Sequence, residues 1–382
     1  MTHFQSIHVE GFRRLYDLPL ELRPLSVMIG ANGSGKTSLL DVFSLLAASA
    51  SGRLSDKISE FSGIGALTTL DRSSEVRIEL SMAVPQAEPL IYDLSVAPSG
   101  ATYQIADETL AQQRQPKPPP FKYIDSHGSD IRYFEVDQGN PLRPTWDHNP
   151  LETSLAQVPK MFQEPEEFRT QLASSTYYHV LNVDPRAPVR LPQPMRPATL
   201  PGRDGEDLVS CLFYLREADR DRFEVIEDTL RAAFPSFDRL DFPPVAAGTL
   251  ALTWRDSNFS SPLYMHQLSE GTLRFLWLVT LLQSPGLTAV TLLDEPEVSL
   301  HPELLNLLAG LMREAAQRTQ LIVATHADRL IRFLDPSEVV TFDLADDGSV
   351  TAAWADQFDL DAWLNEYTLD EVWRMGRIGG RS

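Results

Sequence analysis

Ser26-Val27-Met28-Ile29-Gly30-Ala31-Asn32-Gly33-Ser34-Gly35-Lys36-Thr37 is a short apolar strand running into a glycine-rich turn. Residues 30–37 fit the spacing G-x-x-x-x-G-K-[ST], and the apolar positions that follow, Leu39, Leu40, Val42, Phe43, Leu45 and Leu46, predict a helix buried beneath a sheet. Strand, turn and helix in this order place backbone N–H groups and a helix N-terminus around one anion. Gly30, Gly33 and Gly35 let the backbone turn inward, with Asn32 and Ser34 between them. Lys36 adds a point charge and Thr37 a hydroxyl suited to a hard cation, so the stretch implies a nucleotide phosphate site with ATP and Mg²⁺ as its ligands.

A site of this kind needs carboxylates at the same edge of a parallel sheet, and the chain offers them far downstream. Ala289 to Leu293 reads as a buried strand that ends in Asp294-Glu295. Asp294 is expected to hold Mg²⁺ through water, and Glu295 to orient and deprotonate an attacking water. His326 follows the next predicted strand, Leu321 to Thr325, which makes it a candidate sensor of the γ-phosphate. Leu268-Ser269-Glu270-Gly271-Thr272 opens a predicted helix before the acidic strand. Taken alone, Ser269 is a helix cap.

Outward from these motifs, strands are predicted at His3 to Val9, Leu18 to Leu22, Val76 to Met82, Leu90 to Val96 and Thr102 to Ile105, the pattern of an antiparallel sheet. Between about 108 and 205 prolines cluster, with strand candidates at Ile131 to Val136 and Thr176 to Val183, and the stretch reads as an inserted arm without heptads. Helices are predicted at Asp207 to Ala218 and Arg222 to Phe234. From Leu268 onward helices alternate with strands, as in a parallel α/β sheet. The expected domains are therefore 1–107, 108–205 and 206–382.

Composition bounds the function. The 382 residues carry a net charge of −20, which opposes non-specific attraction to nucleic acid or anionic lipid. Cys211 is the single cysteine, expected in the core, so neither an internal disulfide nor a cysteine metal cluster can form. No signal peptide or membrane span is legible, and the cytoplasm is the expected location.

Together GANGSGKT, LSEGT, LLDEPE and the histidine of ATHAD resemble the ABC ATPases, in the branch of SMC, Rad50 and RecF heads. VEGFRRL, DEPEVSLHP and the C-terminal GRIGGRS are similar to bacterial RecF-like ATPases of the AAA-21 type. The resemblance implies an α/β P-loop fold of ABC type: a two-lobed head with an antiparallel β subdomain. It also implies two heads sandwiching two ATPs. On this resemblance Gly33, Ser34, Gly35, Lys36, Thr37 and Ser38 bind phosphates, Ser269 and Gly271 touch the γ-phosphate held by the partner, and Ser299-Leu300-His301 takes the D-loop position.

Two functions compete. The first is a nucleotide-driven dimerisation switch acting on a protein effector, as in anti-phage or toxin-linked systems. The second is a RecF- or Rad50-like ATPase that clamps DNA through Arg186, Arg190, Arg196 and Arg203. A transporter subunit fits less well, because the arm argues against it, as does the signature motif that the resemblance assigns to residues 268–272, which reads LSEGT rather than the transporter-like LSGGQ.

Overall fold

Alternation of apolar and polar residues in the first hundred positions builds a long antiparallel sheet. The computed structural model describes residues 3–114, 119–134, 141–144 and 146–379. Strands Phe4–Phe12 and Leu15–Glu21 form a hairpin, and Phe4–Phe12 pairs on its other side with Val76–Val84. The sheet continues through Ala87–Ser99, Thr102–Gln112, Phe121–His127, Asp130–Phe134 and Pro141–Leu142, each antiparallel to the one before. Opposite partners such as Val9 and Ile78, then Ile78 and Leu94, lie on one buried face. Each such side chain contributes about 1.5–3 kcal/mol by leaving water.

The expected boundary after residue 107 thus falls inside a strand. Pro119 and Pro120 precede Phe121–His127 and bound a hairpin of this sheet, where proline texture alone reads as a linker. Of the strand expected at Ile131 to Val136, Asp130–Phe134 is formed, and residues 135 and 136 lie outside the described residues, as do Lys117 and the last three residues of GRIGGRS. Buried Glu108 fastens this sheet to the loop that follows. Its carboxylate accepts from Tyr92 Oη at 3.0 Å, Ser154 N at 2.6 Å and Leu155 N at 2.8 Å.

The chain divides into two compact units, one of Met1–Thr176, Pro336–Leu360 and Gly376–Ser382, the other of Tyr177–Asp335 and Asp361–Met375. Besides the long sheet, the first holds Leu25–Gly30, parallel to Val339–Leu344, which pairs antiparallel with Val350–Trp354. Helix Lys36–Ala50 is buried around most of its circumference, as its apolar crowding predicts. In the second unit Val290–Asp294 and Gln320–Ala324 are parallel, with helix Leu305–Ala315 in the crossover between them. Helices Leu208–Ala218, Arg220–Ala233 and Glu270–Gln283 also belong to it. Cys211 is buried and free, and burial pushes its thiol up to about 11, as befits a core residue. No helix among the described residues is long and apolar enough to cross a membrane.

Candidate nucleotide-binding and catalytic residues

In the first unit the strand Leu25–Gly30 delivers the glycine-rich turn, and backbone conformation explains its glycines. Gly30, Gly33 and Gly35 have φ of 152°, 77° and 96°, which side-chain-bearing residues rarely adopt. A Cβ on Gly30 would stand 2.3 Å from the Phe342 carbonyl oxygen, and one on Gly35 would stand 2.8 Å from Leu15 Cδ2. Lys36 is buried and folds back into the turn, its Nζ donating to Gly30 O at 2.7 Å and Ala31 O at 2.9 Å. Helix Lys36–Ala50 has no capping side chain and no acid in its first turn. Its leading N–H groups and positive end therefore fit an anion. Ser34 is buried in the turn, Asn32 and Thr37 are exposed, and Ser38 is half-buried.

The hairpin before this strand supplies a residue that sequence reasoning missed. Arg14 Nη1 donates to Gly33 O at 3.3 Å, placing a guanidinium against the turn. Its neighbour fixes it there. Arg13, at a φ of 50°, ties its Nη1 to Asp41 of the buried helix at 2.5 Å, and its own carbonyl accepts from Thr69 Oγ1 at 2.6 Å. The signal was present in the paired arginines of VEGFRRL, but it specified no partner.

In the second unit the parallel register sets Asp294 beside Ala324, so both strands end at one edge. Glu295 takes a left-handed φ of 49° and donates its N–H to Ala324 O at 2.8 Å. That bend turns the chain at the strand end. His326 Nε2 lies 3.6 Å from Glu295 Oε1, so the two residues expected to act on water and γ-phosphate are brought together. Asp294 Oδ2 accepts from Tyr177 Oη at 3.0 Å, and the Tyr177 ring lies 4.0 Å from that of His179. The Thr176 to Val183 candidate therefore reaches the acidic strand, through a shorter strand, Thr176–Tyr178.

A third carboxylate completes this edge. Glu297 Oε1 accepts from Thr325 Oγ1 at 2.5 Å, while its Oε2 is buried without a hydrogen-bond partner. Burial raises the Glu297 carboxyl above its usual range, with the Thr325 hydrogen bond pulling the other way. It joins the turn after the acidic strand to the turn that carries His326.

Ser269 caps helix Glu270–Gln283, its exposed Oγ accepting from Thr272 N at 3.2 Å. Gly271 has an intrachain reason to be glycine, because a Cβ there would stand 2.5 Å from Ser299 O. Ser299 has a left-handed φ of 62° and is held by Arg274 Nη1 at 2.5 Å from its Oγ. Gly271→Ala gains up to about 1 kcal/mol of helix propensity. It loses about 1–3 kcal/mol to overpacking against backbone. A net destabilisation of up to about 2.5 kcal/mol is expected in urea titrations, and a gain in stability would show that the Ser299 turn yields.

A family profile described as "AAA domain, putative AbiEii toxin, Type IV TA system" matches residues 25–332, most of the chain. The chain belongs to this AAA_21 family. Solved structures similar to this AAA_21 chain include the Smc head bound to the C-winged helix domain of ScpA, with a TM-score of 0.56 at 15% identity, covering 92% of this chain and 97% of that one. Another is the Smc head domain with an extended coiled coil bound to the C-terminal domain of ScpA, derived from Pyrococcus furiosus. Its TM-score is 0.55 at 12% identity, over 98% of both chains. No curated protein matches the AAA_21 chain. The expected α/β P-loop class with an antiparallel sheet is the fold of these Smc heads, and the matched family is described as an AAA domain.

Two of the arginines considered for DNA are otherwise engaged. Arg190 Nε donates to Val183 O at 2.6 Å, and Arg196 pairs with Asp207. Arg186 and Arg203 are exposed.

Proposed function

We propose that the chain binds ATP with Mg²⁺, hydrolyses it to ADP and phosphate, and uses the cycle to join and release two heads. On this reading the phosphates lie against the turn 30–38, with Lys36 and Arg14 as cations. Thr37 is proposed as a hydroxyl ligand of the Mg²⁺ and Asp294 as a carboxylate that holds it through water, oxygen donors of the kind a hard cation takes. Bound there, the ion would neutralise charge on the phosphate oxygens. Glu295 takes the proton of the attacking water, and His326 attends the γ-phosphate. The observation that carries this reading is the grouping of Asp294, Glu295 and His326 at the ends of two parallel strands, with Glu295 3.6 Å from His326.

Ser269, exposed at the start of a 14-residue helix, is proposed to act on the ATP of a second copy. The output is proposed to reach a protein effector. The toxin-system description of the family supports that direction, and the Smc heads above, bound to ScpA, show a fold of this kind carrying a protein partner. A cytoplasmic setting accords with this role. DNA clamping is not favoured, because the guanidiniums of Arg190 and Arg196 are spent within the chain.

Mixed dimers test the trans arrangement. Ser269→Arg and Lys36→Ala chains, each inactive alone, are expected to recover turnover or nucleotide trapping on mixing, because one composite site keeps both residues. With heterodimers verified by mass, absence of both would return Ser269 to the role of a helix cap.

A further inference from the structure

Arg190 gathers backbone carbonyls from two distant stretches of the second unit. Its Nε donates to Val183 O at 2.6 Å, and its Nη1 faces Leu268 O at 3.1 Å, Met265 O at 3.4 Å and His266 O at 3.4 Å. The last three belong to the short 3₁₀ turn Met265–Gln267 and to Leu268, the residue immediately before Ser269. A helical end leaves its final carbonyls without intrahelical donors, and a cation suits that negative end. The planar guanidinium, with five donors in a fixed fork, can hold several of them at once, which an ammonium on a flexible stem does less well.

The segment that presents Arg190 is itself well fixed. Pro188–Arg190 is a 3₁₀ turn with proline at its start, closed by Arg190 N donating to Ala187 O at 3.0 Å. Val183 and Val189 are buried. From within, Gln267 Oε1 accepts from Tyr264 N at 2.8 Å and closes the 3₁₀ turn. Leu268 is then extended, and Ser269 starts the helix. Arg190 thus joins the segment around residue 190 to the lead-in of helix Glu270–Gln283.

We infer that Arg190 is a positioning residue for the signature: by holding carbonyls 265, 266 and 268 it sets where Ser269 is offered to a second copy's nucleotide. The inference rests on the proposed trans role of Ser269. It also makes the proline-rich segment around residue 190 a part of the signature site, so a partner that grips this segment acts directly on the site.

The experiment uses the full chain with Arg190→Ala, Arg190→Lys and, as reference, Ser269→Arg. ATP affinity, turnover at saturating ATP across a range of protein concentration, and amide hydrogen exchange are measured for each. Arg190→Ala is expected to keep ATP affinity within about twofold and to lose turnover about 10- to 100-fold, as fits removal of charge-assisted hydrogen bonds. Exchange should quicken at residues 265–273 and not elsewhere. Half-maximal turnover should need more protein, and Arg190→Lys should retain more turnover than Arg190→Ala. Turnover within about twofold of the native chain for Arg190→Ala, while Ser269→Arg abolishes it, overturns the inference alone. Loss of ATP affinity with exchange quickened throughout the chain also overturns it, since that is a merely structural role. If Arg190→Ala does not fold, Arg190→Lys decides by the same measurements. Native turnover by Ser269→Arg overturns the reading beneath and leaves Arg190 without a site to position.

Discussion

A Glu295→Gln chain is expected to bind ATP as the native chain does and to turn it over about 10²- to 10⁴-fold more slowly, the contribution of a general base. The amide matches the carboxylate in size, so the left-handed turn at φ 49° and its N–H bond to Ala324 O are kept. Asp294, with its hydrogen bond from Tyr177, is untouched. The change removes only the capacity to take a proton and the charge facing His326. Because the loss falls on the chemical step and not on ground-state binding, ATP-bound dimers should accumulate. Phosphate release and sedimentation in ATP with Mg²⁺ are the two measurements. A monomer at protein and nucleotide concentrations well above the dissociation constant for ATP would exclude the two-headed arrangement.

Lys36→Ala is expected to weaken ATP binding by about 10- to 100-fold, as suits the loss of a charged hydrogen-bond donor worth about 1.5–3 kcal/mol. In this chain the ammonium also ties the turn to itself through Gly30 O and Ala31 O, so the variant loses an organising contact along with the charge. The fold should survive. Strand Leu25–Gly30 and the helix behind it are held by apolar burial, including Val27, Ile29, Leu39 and Phe43. Calorimetry with ATP, beside a thermal melt, checks both halves of the statement. Unchanged affinity with an intact melt would move the phosphate site elsewhere.

What could be read from the sequence follows from how far apart the interacting residues are. The strand, glycine-rich turn and helix were legible because they are contiguous, and the backbone path demands the glycines. The acidic strand and His326 were legible because an apolar run fixes where its polar end emerges. Tyr177 was not, since its contact with Asp294 spans 117 positions and a tyrosine at a strand start has no special spacing. Arg190 is a candidate for DNA in the sequence because it shares with Arg186, Arg196 and Arg203 a stretch free of Asp and Glu, although such arginines could equally pair with the acidic surface. Folding brings carbonyls from 75 to 78 positions away onto its guanidinium. Glu297 was hidden within LLDEPE, where three acids in four positions look alike until one is buried beside Thr325. The sheet beyond residue 107 escaped for a local reason, because prolines that bound strands resemble prolines that replace them.

The contact between Gly271 and Ser299 sets a mechanical condition on the proposed cycle. With the Ser299 carbonyl oxygen 2.5 Å from where a Gly271 β-carbon would stand, and Arg274 donating to the Ser299 hydroxyl, helix Glu270–Gln283 and the turn at Ser299 are tied to each other. In the proposed two-fold pair of heads, a protomer that offers one of these elements to its neighbour would bring the other with it. Engagement at the two nucleotides would be ganged, so the pair would close in a single stroke and a half-closed intermediate would be short-lived.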